Sequence, residues 1–167
     1  MITYKKGNLF SYLSKNKKNV ILHVCNDDGG FGSGFAGATA KLYPSVQQAY
    51  YELATKGKYG NVTFKLGQVQ FVKTKEDSNV VFGNLISQSV PGGHEFNING
   101  QKIYYPPFRP DSFRECMYRV VEACQKKDLN IICPLMGCGL AGSTKEVVFG
   151  IVEEVCGKEL DITVYEI

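Results

Sequence analysis

Two stretches of the chain, NVILHVCN (19–26) and LNIICP (129–134), are apolar almost without a break. Alternation of apolar and polar residues marks a strand wet on one side, whereas an unbroken apolar run marks one covered on both faces. Each run leads into a glycine-rich turn, NDDGGFGSGFAG (26–37) and PLMGCGLAGS (134–143), and then into a segment with helical spacing. Buried strand, turn and helix, occurring in that order twice, predict an α/β fold. Its sheet is mostly parallel or mixed, with helices on both faces.

The remaining segments fit that plan. ITYKKG (2–7), LGQVQFVK (66–73), SNVVFGNLI (78–86) and DITVYEI (161–167) read as further strands. FAGATAKLYPSVQQAYYELA (35–54) reads as helical, with Pro44 breaking it or restarting it at a first turn, where a missing N–H costs nothing. Ser112 with Glu115, and Ser143 with Glu146, have capping-box spacing. The helices they open carry Phe113, Met117, Val120, Val121 and Cys124 in one case, and Val147, Val148, Ile151, Val152 and Val155 in the other, with Gly157 ending the second. Asn99-Gly100 between apolar flanks is the signal for a type I′ hairpin.

Gly32 to Gly37 spells G-x-G-x-x-G, the dinucleotide fingerprint. That fingerprint needs the first strand before it and an acidic residue at the end of the next strand. Here it follows the second predicted strand, the next strand ends in Lys73, and Glu52 lies inside a helical segment. A nicotinamide oxidoreductase is therefore the weakest reading. The physics of the turn survives. Glycines opening into a helix expose backbone N–H groups and lack the Cβ atoms that would keep an anion away. Two such turns at the carboxyl ends of neighbouring strands would line one crevice and suit a ligand with two or more phosphates. Glycine serving only tight turns is the plainer account of either turn alone.

A formal net charge of +3 gives no electrostatic footprint for nucleic acid, and Lys15, Lys17 and Lys18 read as a solvated loop. The N-terminal residues contain no apolar signal core and no run reaches a membrane-spanning length, so a soluble, cytoplasmic monomer without a membrane partner is expected. The length of 167 residues suits one domain. Six cysteines without a C-x-x-C pair read as reduced thiols, most of them in the core, with Cys138 set apart by its glycine neighbours. Two distant histidines without matched acids give no metal spacing, and no cofactor is expected.

Taken together, KGNLF (6–10), HVCNDDGGFGSGFA (23–36), PLMGCGLAG (134–142) and ITVYEI (162–167) resemble the macrodomain family in their order and spacing. The likeness is closest to the branch holding the ADP-ribose-1″-phosphate phosphatases and the terminal ADP-ribose protein glycohydrolase. It spans essentially the whole chain, 1–167, leaving only GGHEFNINGQKIYYPPF (92–108) unplaced. The resemblance implies a three-layer α/β/α fold with a mixed central sheet and a crevice for ADP-ribose or its 1″-phosphate. It places Gly7, Asn8 and Leu9 at the adenine end, where Asn8 replaces the aspartate of many members and offers an acceptor without charge assistance. Asn26 matches the asparagine that holds the distal ribose. Gly32, Ser33, Gly34 and Phe35 match the loop around the distal ribose and phosphates, with Cys25 and Phe31 beside them. Gly137, Cys138, Gly139, Leu140, Ala141 and Gly142 match the loop that cradles the diphosphate.

Two departures bear on chemistry. The glycohydrolase uses a lysine and an aspartate, and the matching positions here hold Gln88 and Ala141, so its covalent route is not expected. Ala141 also replaces the aromatic residue of many members, leaving a roomier distal end that would admit an extra phosphate. Hydrolysis of a 1″-phosphate needs an activated water, a protonated leaving group and stabilised charge. The glycine N–H groups suit the last need, and His23 and Asn26 are the candidate catalytic residues. They stand three apart on a strand, so only strand-end geometry brings both to the crevice. A buried histidine with a satisfied ring nitrogen is the competing account of His23. Asp27 and Asp28 read as loop residues bonding nearby N–H groups, with orientation of a water as the alternative. His94 reads as a solvated loop residue or as a border of the distal end. Cys138, as nucleophile or as a small side chain within a backbone cradle, is taken as a binding residue.

The expected protein therefore binds ADP-ribose and hydrolyses its 1″-phosphate without a metal. A non-catalytic reader or sequestering module, and a non-covalent ADP-ribosyl hydrolase, stand beside that reading.

Overall fold

The computed structural model describes residues 1–89 and 94–167, with the backbone alone at His94, Tyr105 and Leu140. In chain order the elements are β1 (Ile2–Lys6), β2 (Lys18–Asn26), α1 (Gly34–Leu42), α2 (Pro44–Lys56), β3 (Lys58–Tyr59), β4 (Val62–Thr63), β5 (Val69–Lys73), β6 (Val80–Gln88), β7 (His94–Ile98), β8 (Gln101–Tyr105), α3 (Pro110–Cys124), β9 (Leu129–Cys133), α4 (Lys145–Cys156) and β10 (Ile162–Glu166). Short 3-10 turns occupy Leu9–Ser11 and Gly139–Ala141.

The main sheet has six strands in the order β1-β10-β9-β2-β6-β5. Its pairs are parallel except β5 with β6, which is antiparallel, so the sheet is mixed. The two continuous apolar runs became β2 and β9, adjacent in the sheet's interior. One face of β2 sends Val20 and Leu22 into a core with Phe113, Met117 and Val120 of α3 and Val148 and Val152 of α4. The other sends Ile21 and Cys25 into a core with Val46, Tyr50 and Leu53 of α2. The result is the expected three-layer α/β/α arrangement. Each fully buried aliphatic or aromatic side chain of these cores contributes about 2 kcal/mol.

The Asn99-Gly100 hairpin is present between β7 and β8, and both central residues adopt positive φ (52° and 78°) as a type I′ turn requires. Pro44 restarts the helix, standing at the first position of α2. Both predicted capping boxes are displaced. Helix α3 begins at Pro110, whose fixed φ suits the first helical position, which puts Ser112 inside the first turn rather than before it. Helix α4 is capped by Thr144, whose side chain accepts from Val147 N, one residue later than expected. Ser143 is committed to the preceding turn, its N–H donating to the carbonyl of Gly137 at 3.0 Å. Among the described residues no helix is long and apolar enough to cross a membrane.

The start of α2 is held from outside its own segment. Tyr43 supplies no side-chain cap, and instead Ser45 N and Ser45 Oγ donate to the carboxylate of Glu76 at 3.1 and 2.5 Å. Partial desolvation pushes the Glu76 carboxyl up, but the hydrogen bonds from Ser45 outweigh it and hold the group below its ordinary value. A depressed carboxylate pKa gives stability that is present above the unfolded value near 4.5 and lost as pH falls through the folded one. Glu76 is exposed, so solvent screens part of this. Glu76→Gln is expected to cost about 0.5 kcal/mol in urea unfolding at neutral pH, with the difference from wild type vanishing in acid.

Candidate functional site

A cavity of about 590 Å³ opens at the carboxyl ends of β2 and β9, between the two glycine-rich turns. That is an ordinary volume for a small-molecule site. Its floor includes His23, Cys25 and Asn26 from the end of β2, and Gln88 closes it on the β6 side. The register of β2 against β6 skips Ser87 between Cys25 and Asn26, a bulge in β6 at the strand end. His23, Val24, Cys25 and Asn26 all border the cavity, which therefore sits over the end of β2 rather than against one face of it.

The first turn, with Phe31, Gly32, Ser33, Gly34 and Phe35, forms one wall. Asn26 organises it from within. Its Oδ1 accepts from Asp28 N and Gly30 N at 3.2 and 3.3 Å, and its Nδ2 donates to Gly30 O at 3.0 Å. The fully buried Tyr50 hydroxyl lies 2.6 Å from Asn26 Oδ1 and 2.8 Å from Asn26 O, and accepts from Gly29 N at 3.2 Å. Gln47 and Tyr51, one turn apart on the same helix, donate to the carbonyl of Phe31. One face of α2 therefore sets the shape of this wall. Helix α1 begins at Gly34 with no side-chain cap from Ser33, so the N–H groups of its first turn have no partner inside the helix. Gly37 is required by close approach, since a Cβ there would meet the carbonyl oxygen of Gly32 at 2.9 Å.

The second turn supplies Met136, Gly137, Cys138 and Ala141 to the opposite wall. Gly137 has φ of +72°, and a Cβ on it would sit 2.7 Å from the Phe108 ring. Cys138 Sγ donates to Met136 O at 3.4 Å, and burial followed by the charge of Glu146 pushes its thiol up. Burial also pushes the Cys25 thiol well above its ordinary value. Both shifts favour the protonated thiol over the thiolate, and Cys138 is a small side chain lining the cavity.

His23 is 2% exposed and meets the rings of Phe31, Phe35 and Phe82 edge-on at 5.5 to 5.7 Å. Burial lowers its pKa to about 4, against the opposing hydrogen bond between Nε2 and Asn84 Oδ1 at 2.5 Å. The imidazole is neutral. Among the described lining residues there is no lysine or arginine, and the one acidic side chain, Asp28, accepts from Gly30 N through Oδ1 at 2.9 Å. Asp27 accepts from Ser89 Oγ at 3.1 Å. Both aspartates thus bond loop groups, and any anion in the cavity meets backbone dipoles rather than side-chain cations.

Several expected contacts lie elsewhere. Leu9 is 3% exposed and packs in the core beneath α1 and α2, because it opens a 3-10 turn whose apolar side faces the sheet. Asn8 Oδ1 is spent on Phe10 N at 3.0 Å, capping that turn, and neither Gly7 nor Asn8 lines the cavity. The segment reaches the site through Phe10, which stacks on Phe35 at 5.5 Å. Gly139 and Gly142 are not among the residues that line the cavity, and the Leu140 side chain lies outside the described residues. The His94 side chain lies outside the described residues. Among those residues no group of three His, Cys, Asp or Glu side chains could hold a metal ion. Tyr50, Gln47, Asn84 and Gln70 escaped sequence reasoning. Their only signal is a polar tip within an otherwise apolar pattern.

No family model matches the chain. A protein of unknown function from Bacteroides thetaiotaomicron is 30% identical, with a TM-score of 0.82 covering 100% of this chain and 98% of that one. A macrodomain protein from Streptomyces coelicolor is 26% identical, with a TM-score of 0.75 covering 99% and 98%. The chain belongs to the macrodomain family. Among curated proteins, an ADP-ribose 1″-phosphate phosphatase from Candida albicans is 26% identical to this macrodomain over 148 residues, 85% of each chain. Further proteins of that name match over less than half of their own length. In this macrodomain Gln88 and Ala141 both border the cavity, so its walls carry neither a lysine nor a carboxylate at those positions.

Two outcomes follow from the geometry. Tyr50→Phe is expected to cost about 1 kcal/mol in urea unfolding and to speed amide exchange at Gly29 and Gly30 while α2 stays protected. Because His23 takes up a proton in the unfolded chain near 6.5 but in the folded one only near 4, stability falls as pH drops between those values. His23→Leu is expected to flatten that part of the pH–stability curve.

Proposed function

We propose that this macrodomain binds ADP-ribose and hydrolyses ADP-ribose 1″-phosphate to ADP-ribose and inorganic phosphate. The observation that carries the reading is the pair of glycine turns facing one another across a single cavity, one of them ending in the uncapped first turn of α1. Such donors suit phosphate oxygens and the charge that builds up on phosphoryl transfer to water. The likeness to the Candida albicans phosphatase supports the choice of substrate.

The roles follow from the donor set. Backbone N–H groups of the two turns bind the diphosphate. Asn26 keeps one N–H beyond its bond to Gly30 and directs it to a ribose or phosphate oxygen. His23, neutral above about pH 4, accepts a hydrogen bond or proton at the reacting end and does not act as a cationic acid. Ala141, with no ring to stack on the distal ribose, leaves space for the additional phosphate.

A module that binds without turnover is the second reading. It is favoured by the protonated thiols and neutral imidazole, which leave the cavity without a charged acid–base pair.

The two readings separate in a phosphorus NMR time course with ADP-ribose 1″-phosphate. Wild type is expected to release free phosphate at a rate unchanged by EDTA, and His23→Ala to lose about 100-fold in rate. Broadened ligand signals without free phosphate would establish the binding module instead, and an unperturbed spectrum would reject the ligand.

A further inference from the structure

Three polar side chains stand in register across neighbouring strands on the α1/α2 face of the sheet. Gln70 on β5 pairs with Asn84 on β6, and Asn84 pairs with His23 on β2. None is more than 2% exposed. A polar row at that depth is costly unless every group is bonded, and apolar residues would fill the same space.

The row is bonded in one direction. Gln70 Nε2 donates to the main-chain carbonyl of Ala49 on α2 at 2.9 Å. A carbonyl only accepts, so the Gln70 amide has one orientation and its Oε1 faces Asn84. Asn84 Nδ2 donates to that Oε1 at 3.0 Å, which turns Asn84 Oδ1 toward His23. An amide oxygen also only accepts, so His23 Nε2 carries the proton. A carbonyl on α2 thus dictates the tautomer of a histidine on β2. Since the ring is neutral, Nδ1 keeps its lone pair. The other groups on the ring are the three phenylalanine rings and Cys25 Sγ, 3.7 Å from Nε2, a thiol that burial makes too weak an acid to protonate the ring and that can accept from the same Nε2–H.

We propose that Gln70 and Asn84 are positioning residues that hold His23, whose ring borders the cavity, as its Nε2–H tautomer, which leaves Nδ1 as the ring's one acceptor for a ligand hydroxyl. The proposal rests on the ADP-ribose reading of the site. It gives the ladder a task beyond stability. The walls offer donors, which attract phosphate oxygens. An acceptor at the floor repels those oxygens and takes a hydroxyl, so the ladder fixes which end of a ribose-phosphate lies over β2.

Nitrogen-15 NMR of the imidazole rings tests this. The free protein is expected to show His23 as Nε2–H, with no titration between about pH 5.5 and 8. ADP-ribose is expected to move the Nδ1 signal upfield, as an accepted hydrogen bond does. Gln70→Met keeps the volume but frees the Asn84 amide to turn, and is expected to give mixed tautomers and about fivefold weaker ADP-ribose binding. An Nδ1–H tautomer or an imidazolium in the free wild type would overturn the proposal, whatever the variants do. So would an unmoved Nδ1 signal while the backbone amides of the glycine turns shift with ADP-ribose, a result that leaves the functional reading intact. Absence of every shift would remove the ligand assignment and the acceptor role with it. A Gln70→Met ring still wholly Nε2–H would remove Gln70 from the ladder.

Discussion

The hydrogen bonds between the Tyr50 hydroxyl and Asn26 are the contact on which the site depends. They tie the middle of α2 to the last residue of β2, where a buried strand must give way to an irregular turn. A turn rich in glycine has high conformational entropy when free, and nothing in its own sequence selects one shape. Here Tyr50 holds its start, Asn26 ties its middle, and Gln47 and Tyr51 hold the carbonyl of Phe31 at its end. The first turn of α1, Gly34 to Ala36, borders the cavity and carries no side-chain cap from Ser33. Preorganisation of this kind lowers the ordering cost that a ligand must otherwise meet.

The site's electrostatics are those of a neutral cavity with oriented dipoles. Desolvation keeps His23 uncharged and the thiols of Cys25 and Cys138 protonated, while Asp28 is turned to its own loop. On the proposed reading an anion would be recognised by backbone N–H groups, which need no counter-charge when the cavity is empty and no reorganisation when it fills. The hairpin β7–β8 grows from beside it, since Gln88 bridges to Phe108 and Phe108 N donates to Ala141 O.

Much of the fold was legible because its signals are local. Unbroken apolar runs marked β2 and β9, Asn99-Gly100 marked the hairpin, and Pro44 marked the start of α2. The helix starts at Ser112 and Ser143 were misread because capping-box spacing competes with other uses of the same residues. Pro110 opened one helix earlier, and the turn before the other consumed Ser143. In the site, Gly32, Gly34, Gly137, Cys25 and Cys138 border the cavity. Asn8 and Leu9 do not border it, because a short 3-10 turn took the amide of one as its cap and the side chain of the other as core. His23 shows both of its expected aspects, a buried ring with a satisfied nitrogen and a position on the cavity floor.

By itself the sequence determined that two buried strands would each deliver a glycine-rich turn to the same end of a sheet, because apolar periodicity and the freedom of glycine are properties of neighbouring residues. Tertiary structure alone decided which groups act there. The orientation of an amide, the tautomer of an imidazole and the cap on a helix depend on partners far away in the chain, as with Ala49 and His23 or Ser45 and Glu76. Hydrogen bonding under burial fixes those choices, and it exists only once strands and helices have packed.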